Sequence, residues 1–180
     1  VVERVTVRDE LSGGTLTTEY RYHHGYWDGI EREFRGFGMV EQLDTEVFAG
    51  YAGRHLKGDA MALAKLLAQQ SYSPPLLSLT WFHQGPVDPP DRGPWLEFDG
   101  TQEQWPGDPN MLDHRGSIDQ FLENLGKGPM RAKRDALRAL RGSVLRTELY
   151  ALDGSLLQER PYTITEQAYD LREEQALAGA

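Results

Sequence analysis

Tyr20-Arg21-Tyr22-His23-His24-Gly25-Tyr26-Trp27-Asp28-Gly29-Ile30-Glu31-Arg32-Glu33-Phe34-Arg35-Gly36-Phe37-Gly38 is the stretch that decides how this chain reads. Alternation runs from Thr15 to His23, Asp28-Gly29 follows, and a second strand-like run leads away from it. Side chains alternate between the faces of a strand, and an Asp-Gly pair tolerates the positive φ of a tight hairpin turn. The stretch therefore predicts a strand over Thr15 to His23, with Leu16, Thr18, Tyr20 and Tyr22 on one face. A return strand follows from about Ile30 to Leu43. Gly36 and Gly38 interrupt the return and predict a bulge or a close backbone approach.

Working outward, Val1 to Asp9 also alternates, with Val5 and Val7 facing away from Arg4, Thr6 and Arg8. Leu11-Ser12-Gly13-Gly14 is a turn signal, so the first quarter reads as a three-stranded meander. The far end repeats the theme: Val144 to Ala151 and Leu156 to Glu166 flank Asp153-Gly154. The strands of both ends can share one antiparallel sheet.

The middle changes period. Asp59 can cap a helix carrying Ala60, Met61, Leu63, Leu66 and Leu67, which is apolar enough all round to require burial. Pro74-Pro75 ends it, and Leu76 to His83 reads as a strand. The Pro-rich loop 85–110 follows, pinned by Trp95, Phe98 and Trp105. Ser117 and Gln120 fit a capping box, with Ile118, Phe121, Leu122 and Leu125 inward and Gly126 at the C-terminal end. Pro129 opens a further helix to about Arg141, with Ala136, Leu137 and Leu140 inward. From Leu171 the Glu- and Ala-rich tail frays or forms a terminal helix. The expected class is α+β, mainly β: hairpins from both ends, an insert of about three short helices, and the long loop. We expect 1–180 to be a single domain within a longer protein, with hairpin regions 1–57 and 143–170 and the insert at 58–141.

Composition narrows the chemistry. Cysteine is absent, which removes disulfides, thiolate metal sites and cysteine nucleophiles. A net charge of −9 argues against binding nucleic acid or an anionic membrane. No apolar run is long enough for a membrane span. The chain opens inside an alternation without an initiator Met, which reads as a piece of a longer protein.

The candidate chemistry is sparse. His23 and His24, with Asp28 or Glu33, suggest a metal site, yet adjacent strand residues point to opposite faces. A hydrolase using His23, His24 or His83 is the weakest of the readings weighed. Glu31, Glu33 and Arg35 share a strand face, as a carboxylate pair for acid–base work would, but alternating signs more often mark an ion-paired face. Arg131, Lys133, Arg134, Arg138 and Arg141 make a basic helix, read as a solvated face or one paired with acidic neighbours and not as a nucleic-acid site. No nucleophile elbow or phosphate loop occurs. Tyr20, Tyr22, Tyr26, Trp27, Phe34 and Phe37 are read as cross-strand packing, with a sugar- or receptor-binding module as the alternative. We therefore expect no catalytic residue, no cofactor and no bound metal.

The Tyr20–Gly38 stretch resembles the signature of B components of Tc-type (ABC) toxin complexes and SpvB-like proteins. Leu79-Thr80-Trp81-Phe82-His83-Gln84-Gly85 is similar to a second element of that family. A third lies in Ala139 to Gly154, with Gly142, Tyr150, Asp153 and Gly154, continued by Arg160-Pro161-Tyr162-Thr163-Ile164-Thr165-Glu166. The resemblance implies a middle region, between a β-propeller and Rhs/YD repeats, of a β-rich shell that holds a toxic effector. It implies a structural role for Tyr20, Tyr22, His23, Gly25, Trp27, Asp28, Gly29, Phe34, Gly36, Phe37, Gly38, Trp81 and His83, and for Gly142, Tyr150, Asp153, Gly154, Pro161 and Tyr162. The implied partners are the rest of the B component, the C component and, indirectly, the A component, in a secreted or cell-surface toxin. It implies no nucleic-acid partner and no direct membrane insertion.

Overall fold

A computed structural model of the chain describes residues 1–10, 14–47, 73–87, 97–108, 112–125 and 130–172. The expected helix at 59–70, Trp95, Gly126, Pro129 and the end of the tail lie outside the described residues.

The described strands are β1 (Arg4–Arg8), β2 (Thr15–His23), β3 (Tyr26–Asp28), β4 (Glu33–Gly36), β5 (Met39–Val47), β6 (Leu76–Phe82), β7 (Val144–Ala151) and β8 (Thr163–Glu166). Helices α1 (Gly116–Asn124) and α2 (Met130–Arg138) lie between β6 and β7. Six strands form one sheet in the order β1-β2-β5-β6-β7-β8, while β3 and β4 form a separate two-stranded sheet. The large sheet is a meander from which the β3–β4 tip and the helical insert depart. β1 and β2 pair antiparallel, Arg4 opposite Glu19 and Arg8 opposite Thr15. At the two ends of β8, Tyr162 N donates to Leu149 O (2.6 Å) and Gln167 N to Leu145 O (3.0 Å), an antiparallel progression along β7. The mainly β, α+β class is the one expected, and strands from both chain ends share the sheet.

The chain divides into two compact units. The first contains Val1–Arg21, Val40–Leu79 and Glu148–Thr163. Here Thr18 Oγ1 donates to Asp44 Oδ1 (2.6 Å), Arg4 pairs with Glu19, and Val5 and Val7 of the edge strand stay exposed. The second contains Tyr22–Met39, Thr80–Thr147 and Ile164–Ala180. Its apolar core is Ile118, Leu122, Leu137 and Leu140, flanked by Phe121, Leu125, Tyr169 and Leu171. These are the inward positions that the helical period predicts.

Several local expectations change. The return strand is not continuous from Ile30 to Leu43: it breaks into β4 and β5 at Gly36, whose φ is +95°. Helix α1 is not capped by a Ser117–Gln120 box. Asp113 Oδ1 instead accepts from Arg115 N (3.1 Å) and Gly116 N (2.8 Å), while Ser117 Oγ donates to Tyr169 O. An aspartate three residues ahead of Gly116 reaches the free amides first. The last hairpin has a longer connection than the two-residue turn implied. Leu156 and Leu157 lie exposed in a turn, and β8 begins only at Thr163.

Candidate functional site

The signature residues converge mainly in the second unit, where the hairpin changes direction. His24 adopts φ +56° and Gly36 φ +95°, so both hairpin strands turn. That is how β3–β4 separates from the large sheet. A side chain at Gly38 would put its Cβ 2.9 Å from Phe98, 3.1 Å from Gln84 Oε1 and 3.1 Å from His24 Cβ. The close approach that the glycine pair predicts is present here.

Gln84 is the tie. It is 1% exposed, and its Nε2 donates to His24 O (2.6 Å) and Gly36 O (3.1 Å). The residues beside it dock the end of the Pro-rich loop. Glu97 Oε1 accepts from Gln84 N (2.5 Å) and Gly85 N (3.2 Å), and Glu97 Oε2 lies 2.9 Å from His83 Nδ1. Phe98 stacks on His24 at 3.8 Å between ring centroids, and His24 Nε2 reaches Glu103 at 2.9 Å. Gly100 lies so close to Trp81 that an added Cβ would sit 2.5 Å from the indole. The loop is thus fastened by Glu97, Phe98, Gly100 and Glu103, of which only Phe98 was legible from sequence. Carboxylate docking leaves no periodic pattern in a sequence.

A cavity of about 360 Å³ opens beside this joint, bordered by Trp81, His83, Glu97, Asp99, Asp113 and Arg115. Its carboxylates already have partners. Asp99 is held below the usual carboxylate range by hydrogen bonds from Thr101, and Asp113 by the amides of Gly116 and Arg115. Acceptors satisfied by fixed donors stay ionised and are poor proton carriers. His83 and Glu97 have the contact of an acid–base pair. However, Glu97 is also engaged by two backbone amides, which suits orientation more than proton transfer. Among the described residues, no group of three or more His, Asp or Glu side chains could hold a metal ion. His24 and His83 each face a different glutamate.

A second cluster lies at the β3–β4 tip. Asp28, 4% exposed, accepts from Ile30 N (2.9 Å) and Glu31 N (3.1 Å) at Oδ1 and from Arg35 Nη2 (2.9 Å) at Oδ2. Burial raises its pKa, but the amides of Glu31 and Ile30 and the Arg35 guanidinium outweigh it and hold the carboxyl below its usual value. Glu33 accepts from Arg138 (2.5 Å) and from Arg141. Of the two readings of the basic helix, part of it is therefore paired with acidic neighbours, while Arg131 stays exposed. A third buried pair joins Arg146 on β7 to Glu166 on β8 (2.5 Å). Arg146 and Glu148 are among the most buried residues of the chain, so β7 turns a charged face inward. Nothing in the alternation of Val144 to Ala151 marks that face as the inner one.

The other predicted residues are distributed as follows. Tyr22 packs on Phe37 (4.7 Å between centroids) and Phe34 on Phe37 (5.1 Å), with Gly25 against the Phe37 ring. Trp27 does not join them and is 61% exposed. His23 O accepts from Gly38 N, and Gly142 N donates to His83 O (2.8 Å). Gly29 lies in the tip beside Asp28. In the first unit, Tyr20 N donates to Glu3 O (2.8 Å) and Tyr150 OH to Glu148 (2.6 Å). Asp153 and Gly154 form the turn after β7, Pro161 is buried, and Tyr162 is 84% exposed.

Two family models match the chain. Residues 1–51 match the insecticide toxin TcdB middle/N-terminal region, and residues 135–180 match its middle/C-terminal region. The chain belongs to the middle region of Tc toxin B components. This B-component middle region resembles a TcdB2-TccC3-Cdc42 crystal structure with a TM-score of 0.58 and 29% identity over 91% of its length. It resembles TcdB2-TccC3 at 0.55 and 27%, and a Photorhabdus luminescens Tc holotoxin pore at 0.55 and 28%, each again over 91%. It spans about 7% of the length of each of those chains. No curated protein matches it significantly. No helix among the described residues of this middle region is long and apolar enough to cross a membrane.

Proposed function

We propose that this chain is a non-catalytic structural segment of a toxin B component, contributing sheet to a β-rich shell that encloses and delivers a toxic effector. The observation that carries the reading is the shared fold over 91% of the chain with TcdB2-TccC3 structures. The buried chemistry favours the same conclusion. Gln84 and Glu97 bond to other parts of this chain, and Arg35 and Arg146 each hold one of its carboxylates, which is the work of fastening. The signature residues, in this reading, set turns, close approaches and ring contacts. The chain is one segment of a longer protein that lies before Rhs/YD repeats, related to SpvB-like proteins. It has terminal hairpin regions at 1–57 and 143–170 and an insert at 58–141. Its partners are the rest of the B component, the C component and, through the assembled complex, the A component. Its place is outside the producing bacterium. The exposed Val5 and Val7 of the edge strand suit a segment covered by other parts of a larger wall.

The test uses the intact protein assembled with a C component. Gln84→Ala removes the tie and is expected to lower the thermal midpoint and expose the enclosed effector to protease. His83→Gln keeps a ring-sized polar group beside Glu97 and is expected to retain toxicity wherever assembly is retained. A His83→Gln complex that assembles and protects its cargo normally, yet loses toxicity, would mean catalysis at this joint.

A further inference from the structure

The basic helix also borders a second cavity, of about 270 Å³, whose charged lining is Arg35, Arg131, Arg134, Arg138, Glu31 and Asp135. Most charges here are accounted for. Arg35 pairs with Asp28, and Glu33 lies 3.6 Å away. Arg138 meets Glu33 and Asp135, Arg141 meets Glu33, and Arg131 meets Asp135 at 3.8 Å. Glu31 lies 4.0 Å from Arg138. The cluster thus sets five arginines against Asp28, Glu31, Glu33 and Asp135, leaving one positive charge over. The remaining charge is that of Arg134. It is 9% exposed, no carboxylate pairs with it among the described residues, and its Nη1 has no hydrogen-bond partner. Arg35, 2% exposed and lining the same cavity, leaves Nε without a hydrogen bond, and its Nη1 reaches no closer than 3.6 Å to Glu33 Oε2. Buried guanidinium donors without acceptors are costly, and an oxyanion is the group that relieves them.

The geometry points to a binding site for one small oxyanion in this cavity, with inorganic phosphate or an anion of the same chemistry as the ligand. Arg134 supplies the unmatched charge and a free donor. Arg35 supplies further donors from a guanidinium already fixed by Asp28, so little freedom is lost when an anion arrives. Arg131, with 83% of its side chain exposed, stands at the rim, where it can contact an entering anion. Glu31 and Asp135 set a limit on charge: the site takes a single compact anion and repels an extended polyanion. This site does not depend on the toxin reading, since it rests on the charge count and the orphaned donors alone.

Calorimetric titration of the intact protein with inorganic phosphate, chloride keeping ionic strength constant, tests the site. We expect one saturable site per chain. Arg134→Met should weaken it at least about tenfold, the loss of a charge-assisted hydrogen bond. Arg134→Lys, which keeps the charge without the fork, should fall between. Arg131→Met, at an exposed position that does not threaten folding, should weaken binding by a few fold. Phosphate binding no better than chloride, or affinity unchanged in both Arg134→Lys and Arg131→Met, overturns the proposal.

Discussion

Asp28-Gly29 and Asp153-Gly154 are the same dipeptide after a strand, in one unit and in the other, and the two halves of the pair exchange importance between them. At the β3–β4 tip the aspartate carries the turn: its buried carboxylate takes two backbone amides and Arg35. Gly29 keeps an ordinary φ there, and Arg32 adopts the left-handed conformation at φ +53°. After β7 the glycine carries the turn, at φ +74°, while Asp153 is exposed and accepts from Ser155 N. A turn is thus built either by a side chain that replaces backbone hydrogen bonds or by a residue without Cβ that enters left-handed space. Burial decides between them, because only a buried carboxylate with a fixed arginine is worth more than backbone freedom.

The largest effect that would break this contrast belongs to Asp28. Asp28→Ala leaves Arg35 buried without its closest partner and two amides unsatisfied, and should cost about 3 kcal/mol or more in chemical denaturation. Asp153→Ala should leave the denaturation midpoint close to that of the parent. Equal losses at the two positions would remove the distinction.

The second effect is a pH dependence. The folded pKa of Asp28 lies below its ordinary value of 3.8. Its stabilisation is therefore fully present above that value and is lost as pH falls through the folded pKa. The stability gap between the parent and Asp28→Asn should stay constant above about pH 5 and narrow as the pH falls below 3.8. A gap that widens in acid would show that the carboxylate is not stabilised as described.

Smaller changes test the glycines. Gly154→Ala keeps open space around the new methyl but strains the backbone, at about 1–2 kcal/mol. Gly29→Ala meets nothing within 4 Å and needs no left-handed φ. It should be neutral or stabilise by up to about 1 kcal/mol, because alanine restricts the unfolded chain. Urea titrations of the two variants side by side would sharpen the comparison, and the opposite ranking would refute it.

Local pattern was enough for much of this protein. Alternation placed most of the strands, and the helical period chose Ile118, Leu122, Leu137 and Leu140 as the core. The Gly36–Gly38 pair marked the break in the hairpin, and the long signature from Tyr20 marked the family. These features are written in neighbouring residues, because side-chain period and backbone permissiveness are local properties. The fastening was decided only by the tertiary structure. Glu97 reaches His83 across a Pro-rich loop, and Glu33 finds Arg138 105 residues away. Arg146 turns the charged side of β7 inward because Glu166 waits on the next strand. A buried charge is costly away from a partner, and folding, not the spacing of residues, brings these partners together.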